Sequence, residues 1–495
     1  MDKIYNKISD RMKFTFLFSF FSTIIIHLFM LVNNWKNHDS LWHLHSDMNL
    51  SSSGRFTLKY LGLFSSYFDL HYLNLFISCI FLSLGVTILV EIFEVTNKKH
   101  IALFSVIYAA FPSVSGIFSY AFTADAYFIS FFLTIVAIYI CTKNKWLCIV
   151  GIGLIYIALG TYQANLTLAI IIVILIFVQR LLNGNEKTNK EFILYFITIT
   201  TGLLLYVIHF KIYQIIYREL LTEYGGISEA GNINFDTIIT AFKSAQASFN
   251  DFIFNNFHFI NLFEIFNLVF LLLIVVSLIM LVATSKIKIT NSIFVLLILF
   301  FAPYYVYLIY FVSPNVYYHV LMLQNVPLIS LIGIFILQNH KLEIKIFNVL
   351  KKMIIVTLII ISFNLILITN IYYEKLSLIN SYTDSLMTKI SYRIETHKDY
   401  PNIESIMVIG NPSTHLNIAE VFNNKVPFNV GVNTIAFNGY TTANYLNNFM
   451  GHHLNVVEES SEFAKEHLDI IENMTVWPTS ESVKVIDNTI IIKFE

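Results

Sequence analysis

Residues 101–142 read IALFSVIYAAFPSVSGIFSYAFTADAYFISFFLTIVAIYICT, with Asp125 as the only charged side chain. A membrane-crossing helix needs ~20 largely apolar residues, so a run of this length crosses a hydrocarbon layer twice and is cut near its middle, at 101–119 and 126–142. Comparable spans are predicted at 14–32, 72–90, 146–161, 165–180, 192–209, 264–283, 292–311, 319–337 and 353–373, about eleven crossings in all. Composition points the same way. Of 495 residues 56% are hydrophobic and 13% charged, against roughly a quarter charged in soluble domains. A mean hydropathy of +0.67 over the whole length rules out a soluble enzyme on a single anchor. A net charge of −1 excludes a basic nucleic-acid binder. Cys79, Cys141 and Cys148 all lie in apolar runs, so no disulfide framework is expected.

Orientation follows from the loop cations. With the N-terminus in the cytoplasm, the inner segments hold 17 Lys and Arg, and the outer loops hold Lys36, Arg55, Lys59, Lys211, Arg218 and Lys243. The N-terminal segment is long and charged and is followed by no small-residue cleavage site, so it does not read as a signal peptide. The expected fold is an all-α polytopic membrane bundle over 1–373, with outer loops 33–71 and 210–263. An odd number of crossings places 374–495 on the outer side as a small α/β domain. In that tail a helix to about residue 397 precedes strand-like runs at 405–410 and 483–494, the second broken by an Asp487-Asn488 hairpin signal. Asn411, Asn429, Asn433, Asn438 and Asn444 could bond sugar hydroxyls or simply fill loops. Within 210–263, apolar residues at helical spacing predict helices at 211–224 and 235–250, lying on the bilayer surface or packed as a lid.

Chemistry-bearing residues cluster in the outer segments. The first loop reads Asn37-His38-Asp39-Ser40 and later Ser53-Gly54-Arg55-Phe56. A carboxylate that takes an acceptor hydroxyl's proton, with a guanidinium that neutralises a departing phosphate, is what glycosyl transfer from a lipid phosphate requires. Helix capping by Asp39 and headgroup snorkelling by Arg55 are the plainer alternatives. Asp125 is costly inside an apolar run unless it has a function or caps the following helix. Two further polar tips, Gly160-Thr161-Tyr162-Gln163-Ala164-Asn165 and Ser313-Pro314-Asn315-Val316-Tyr317-Tyr318-His319, fall on the same outer side. His43 and His45, with Asp39 and Asp47 nearby, form only a weak divalent-metal pattern. No cofactor is expected, and neither a phosphate cradle nor a Ser-His-Asp elbow is present.

The order His-Asp, Ser-Gly-Arg-Phe, Phe122-Thr-Ala-Asp-Ala-Tyr-Phe128 and Leu159-Gly-Thr-Tyr-Gln-Ala-Asn165 resembles the Gtr type II glucosyltransferases that modify bacterial O-antigen. The resemblance implies a GT-C-like enzyme of the bacterial inner membrane, taking a hexose from a polyprenyl-phosphate donor to a surface glycan. It implies Asp39 as base, with Arg55, Asp125 and Gln163 lining the site. Lys59, Tyr162 and His319 join them as candidate donor or substrate contacts. The donor, the glycan acceptor and the lipid bilayer are the expected partners. Two other functions fit an outward-facing bundle. A transporter or flippase of lipid-linked glycan predicts internal repeats, and Pro112 and Pro327 do not occupy matching positions of two halves. An O-antigen-type polymerase fits the long central loop but does not call for the Thr-Ala-Asp-Ala motif.

Overall fold

A computed structural model describes residues 8–183, 189–217, 234–255, 260–284, 287–338, 345–412 and 435–495. They form two compact units. One takes the described residues up to Val32 and from Asp47 to Asn370; the other takes Asn33–Ser46 and the described residues from Ile371 onward.

The first unit is a helical membrane bundle. In chain order its helices are α1 (Asp10–Val32), α2 (His71–Ile92), α3 (Lys98–Ala109), α4 (Pro112–Phe118), α5 (Ala121–Lys143), α6 (Cys148–Thr161), α7 (Asn165–Asn183), α8 (Asn189–Tyr217), α9 (Phe235–Phe254), α10 (Ile265–Ala283), α11 (Ile289–Phe300) and α12 (Ser330–Gln338). The long α13 (Lys345–Glu395) begins here and ends in the second unit. Among the described residues eight helices are long and apolar enough to cross a membrane, and α3 with α4 makes a ninth, bent by 47°. The segments Lys145–Thr161 and Ile289–Phe300 are apolar but shorter. The predicted spans 146–161 and 292–311 are thus helical without full crossing length. The predicted helix at 319–337 is also modified. Two tight 3-10 turns, Val320–Leu323 and Val326–Ile329, precede α12, because Pro327 supplies no N–H and crowds the carbonyl one turn back.

The bend between α3 and α4 has the same cause and a specific remedy. Phe111 is extended (φ −68°, ψ 140°) ahead of Pro112 at the start of α4, as expected for a residue preceding proline. A break inside hydrocarbon leaves carbonyls that water cannot reach. His27 Nε2 on α1 donates to the Ala109 carbonyl at 2.8 Å, and Thr369 Oγ1 on α13 donates to the Ala110 carbonyl at 2.9 Å. Buried hydroxyls of Thr23, Ser78, Ser83, Thr87 and Thr134 likewise bond the carbonyl four residues back in their own helices. Close approach relies on small residues. A Cβ on Gly85 of α2 would sit 2.4 Å from Phe131 of α5, and one on Gly202 of α8 would sit 2.6 Å from Ile155 of α6. At the N-terminal end of α1, Arg11 makes a two-point ion pair with Glu91 of α2. The three cysteines are buried and unpaired as disulfides.

Helix α8 continues through Tyr217, so residues 211–217 extend a span and do not start a separate surface helix, while 218–233 lie outside the described residues. The expected helix at 235–250 is α9, opened by a reciprocal Asn234–Thr237 capping box.

In the second unit a four-stranded sheet has the order β2-β1-β4-β3: β1 is Ser405–Ile409, β2 Asn455–Val456, β3 Val483–Ile486 and β4 Thr489–Lys493. β1 runs parallel to β2 and β4, and β3 pairs antiparallel with β4 through the Asp487-Asn488 turn, where Asp487 takes φ 51°. Helix α14 (Gly439–Met450) packs on β1. The core joins the sheet to the end of α13, with Leu41 buried beside Met387, Ile390, Tyr445, Leu446 and Ile490.

Candidate functional site

Within the first unit two of the sequence motifs meet. Ser51–Ser53 form a 3-10 turn closed by Gly54 in the left-handed region, φ 75°. That turn folds the chain back, with the Arg55 N–H donating to the Leu50 carbonyl at 3.0 Å. The following residues dock on the tip between α6 and α7. The Thr57 N–H donates to the Gly160 carbonyl at 2.9 Å, and its hydroxyl reaches the Ile157 carbonyl at 2.7 Å and Thr161 at 2.8 Å. From the tip, Gln163 Nε2 donates to the Ser53 carbonyl at 2.8 Å and to the Tyr206 hydroxyl at 3.1 Å. Both glycines are required by this approach. A Cβ on Gly54 would stand 2.4 Å from the Tyr206 hydroxyl and 2.9 Å from Gln163, and one on Gly160 would stand 2.7 Å from Phe56.

What the clamp holds is Arg55. Its Nη1 donates to the Tyr127 hydroxyl at 3.0 Å, and its guanidinium carbon lies 5.5 Å from the centre of the Tyr162 ring. Tyr127 and Tyr162 are themselves stacked, centres 4.5 Å apart and planes 16° apart. A guanidinium fixed by a hydroxyl and by an aromatic face has lost most of its rotamer freedom before any anion arrives, which favours forked recognition of a phosphate. Next to it Phe56 packs on His209 at 4.1 Å, and His209 bonds the Tyr156 hydroxyl.

Other expected residues lie elsewhere in this unit. Lys59, half-buried on the single turn Leu58–Leu61, holds its ammonium 5.1 Å over the Tyr60 ring. His319 Nε2 is 3.5 Å from the Tyr120 hydroxyl, at the start of α5. Asp125 is fully buried on α5. It is not the helix cap. The cap is Tyr120, which makes no side-chain cap bond, and Asp125 lies in the second turn. One of its oxygens accepts the Ala126 N–H at 2.8 Å, the Ser65 hydroxyl lies alongside, and its Oδ2 has no hydrogen-bond partner among the described residues. Asp125 and Tyr127 are two residues apart on one helix and so point to different faces. The structure therefore groups Arg55, Tyr162 and Gln163 and places Asp125 toward Ser65.

Asp39 belongs to the second unit. It begins the 3-10 turn Asp39–Leu41, whose cap is His38 with no side-chain cap bond. The Asp39 N–H donates to Asn37 Oδ1 at 3.0 Å, and the carboxylate, 43% exposed, has His38 Nε2 at 3.3 Å. Burial pushes the His38 imidazole below its usual pKa, with Asp39 pulling partly back. Among the described residues no three His, Cys, Asp or Glu side chains gather as a metal site.

Tyr127 and Tyr206 escaped the sequence reading. Tyr127 stood inside the motif Phe122–Phe128, overshadowed by Asp125. Tyr206 lies in an ordinary apolar span, and only its position opposite Gly54 reveals its part.

The docked segments 53–57 and 157–163 both lie within residues 28–326, the stretch that matches the family model described as Glucosyl transferase GtrII. The chain belongs to the glucosyl transferase GtrII family. Searches of curated proteins and of solved structures find no match. Membership makes the protein a glucosyltransferase in a multi-pass helical membrane protein. The GtrII match takes in Asp39, Arg55, Lys59, Asp125, Tyr162, Gln163 and His319, and it ends before α12.

Proposed function

We propose that this GtrII protein moves glucose from a polyprenyl-phosphate donor to a surface glycan such as O-antigen, on the outer face of the bacterial inner membrane. The observation that carries the reading is the prefixed Arg55 guanidinium, held by Tyr127 and Tyr162 and indexed by the Gln163–Ser53 clamp. In the transfer, Asp39 accepts the proton of the attacking hydroxyl as its oxygen bonds to the anomeric carbon. The bond from that carbon to the phosphate oxygen breaks, and Arg55 meets the charge left on the polyprenyl phosphate. No cofactor enters this scheme. The sidedness rests on the basic inner loops, which place the first loop and the C-terminal unit outside through some eleven crossings, the two short helices included.

The test is donor choice with purified protein in liposomes. Polyprenyl-phosphate glucose supports transfer to the glycan, and a nucleotide sugar does so only after a separate enzyme charges the lipid. Direct transfer from the nucleotide sugar would overturn the reading.

A further inference from the structure

Asp39 does not stand alone on its unit. A 3-10 helix has three residues per turn, so side chains three apart eclipse one another. The Trp42 N–H donates to the Asp39 carbonyl at 3.1 Å, completing that turn. Trp42 therefore lies on the same edge of the turn as Asp39. Its indole lies beside Tyr440, the second residue of α14, with ring centres 5.3 Å apart and planes 31° apart. Both rings are open on one side, Trp42 to 48% and Tyr440 to 39% of its surface.

The pair is built into the unit. Asn448 Nδ2 donates to the Leu41 carbonyl at 3.2 Å, Leu41 is buried in the core, and His38 packs edge-on against Phe437 at 5.6 Å. The Tyr440 hydroxyl donates to Glu458 Oε1 at 2.6 Å. That hydrogen bond fixes the orientation of the ring. Two fixed aromatic faces edged by the carboxylates of Asp39 and Glu458 suit a ligand that is apolar on its C–H faces and rich in hydroxyl donors around its rim. A pyranose has that chemistry. A bilayer surface suits the edge less well, because two exposed carboxylates gain nothing from lipid phosphates.

We propose that Trp42 and Tyr440 form the acceptor platform, stacking a hexopyranose of the glycan so that one of its hydroxyls faces Asp39. The proposal rests on the glycan-acceptor reading above and adds where that acceptor is gripped.

The test measures binding with no donor present, so it does not depend on catalysis. The probe is polysaccharide released from the lipopolysaccharide of a strain deleted for this gene, titrated against full-length protein in detergent. Trp42→Ala and Tyr440→Ala should each weaken binding by roughly fivefold to thirtyfold, as loss of an aromatic anchor does. Trp42→Phe, which keeps a stacking face and guards against misfolding, should stay within about threefold of wild type. In transfer assays the alanine variants should raise the acceptor KM by the same factor and leave the donor KM unchanged. Unchanged polysaccharide binding in both alanine variants overturns the platform while leaving the transferase reading intact. Loss of binding to phosphatidylglycerol vesicles without loss of polysaccharide binding also overturns it, and makes the pair a bilayer anchor. Polysaccharide binding that depends on both rings in a protein that transfers no glucose supports the platform and sinks the transferase reading instead.

Discussion

Replacing Gly54 with Ala tests whether the turn before Arg55 positions the guanidinium. The left-handed conformation at this position costs a non-glycine residue ~1–2 kcal/mol. The new methyl would also fall 2.4 Å from the Tyr206 hydroxyl and 2.9 Å from Gln163 Nε2, and overpacking of this kind costs about 1–3 kcal/mol. A rigid turn would thus carry roughly 2–5 kcal/mol of strain. The cheaper response is to swing outward, releasing the Ser53 carbonyl from Gln163 and drawing Arg55 off Tyr127. Misplacing a positioning group by ~1 Å costs about 10²-fold in rate. Glucose transfer from labelled polyprenyl-phosphate glucose, with protein level checked by a fluorescent fusion, should fall by that order at unchanged abundance. Tyr206→Phe removes the nearest clashing atom and frees Gln163 of one hydrogen-bond partner, so in the double variant the backbone cost and the milder 2.9 Å contact with Gln163 Nε2 remain, and activity should recover to within about thirtyfold of wild type. Gly54→Ala enzyme that keeps more than about a third of wild-type transfer would refute the positioning argument.

Asp39→Asn should lower transfer by ~10²- to 10⁴-fold while donor binding persists; if Asp39→Asn stays active and Asp125→Asn is dead, the base has been misassigned. An alkaline phosphatase fused after Glu495 should be active and a cytoplasm-dependent reporter there silent, and the opposite pattern removes the basis for an outer-face donor. His27→Ala leaves the Ala109 carbonyl unanswered in hydrocarbon, about 1–3 kcal/mol, and should lower the Tm in detergent, with Gln, which keeps a donor, recovering part of it; an unchanged Tm for His27→Ala would contradict the capping role. His452 bonds Ser391 at 2.7 Å near Glu395, and burial holds its pKa below the usual value against the pull of Glu395, with His453 lowering it further. Protonation then favours the unfolded chain, so the contribution to stability is complete above about pH 6.5 and is lost as pH falls through the lowered value. His452→Gln should flatten that part of the Tm–pH curve, and an identical curve would exclude the linkage.

The bundle was legible because hydropathy alone dictates which segments leave water. Length was the weak point: the apolar run near 146–161 reads as a crossing, yet its helix starts only at Cys148. The polar tips were legible as breaks between spans, since Gly160, Tyr162 and Gln163 interrupt apolar sequence without a charge. Their docking on residues 53–57 was not, because Gly54 reveals its purpose only when Tyr206 arrives from a distant span. A helix cap was the plainer alternative for Asp125, but α5 starts at Ala121, five residues earlier than that alternative requires. The grouping of residues 33–46 with the C-terminal unit rests on Leu41 entering a core built from residues hundreds of positions away, which no local pattern encodes.

The bend at Pro112 bears on how the protein is made. His27 is already in the membrane when Ala109 leaves the ribosome, so that carbonyl finds its donor at once. Ala110 waits for Thr369, 259 residues later. At roughly 5–20 residues per second the interval is about 10–50 s. During it the insertion machinery handles a half-answered kink, and the chain cannot settle into its final packing until its last long helix has been threaded.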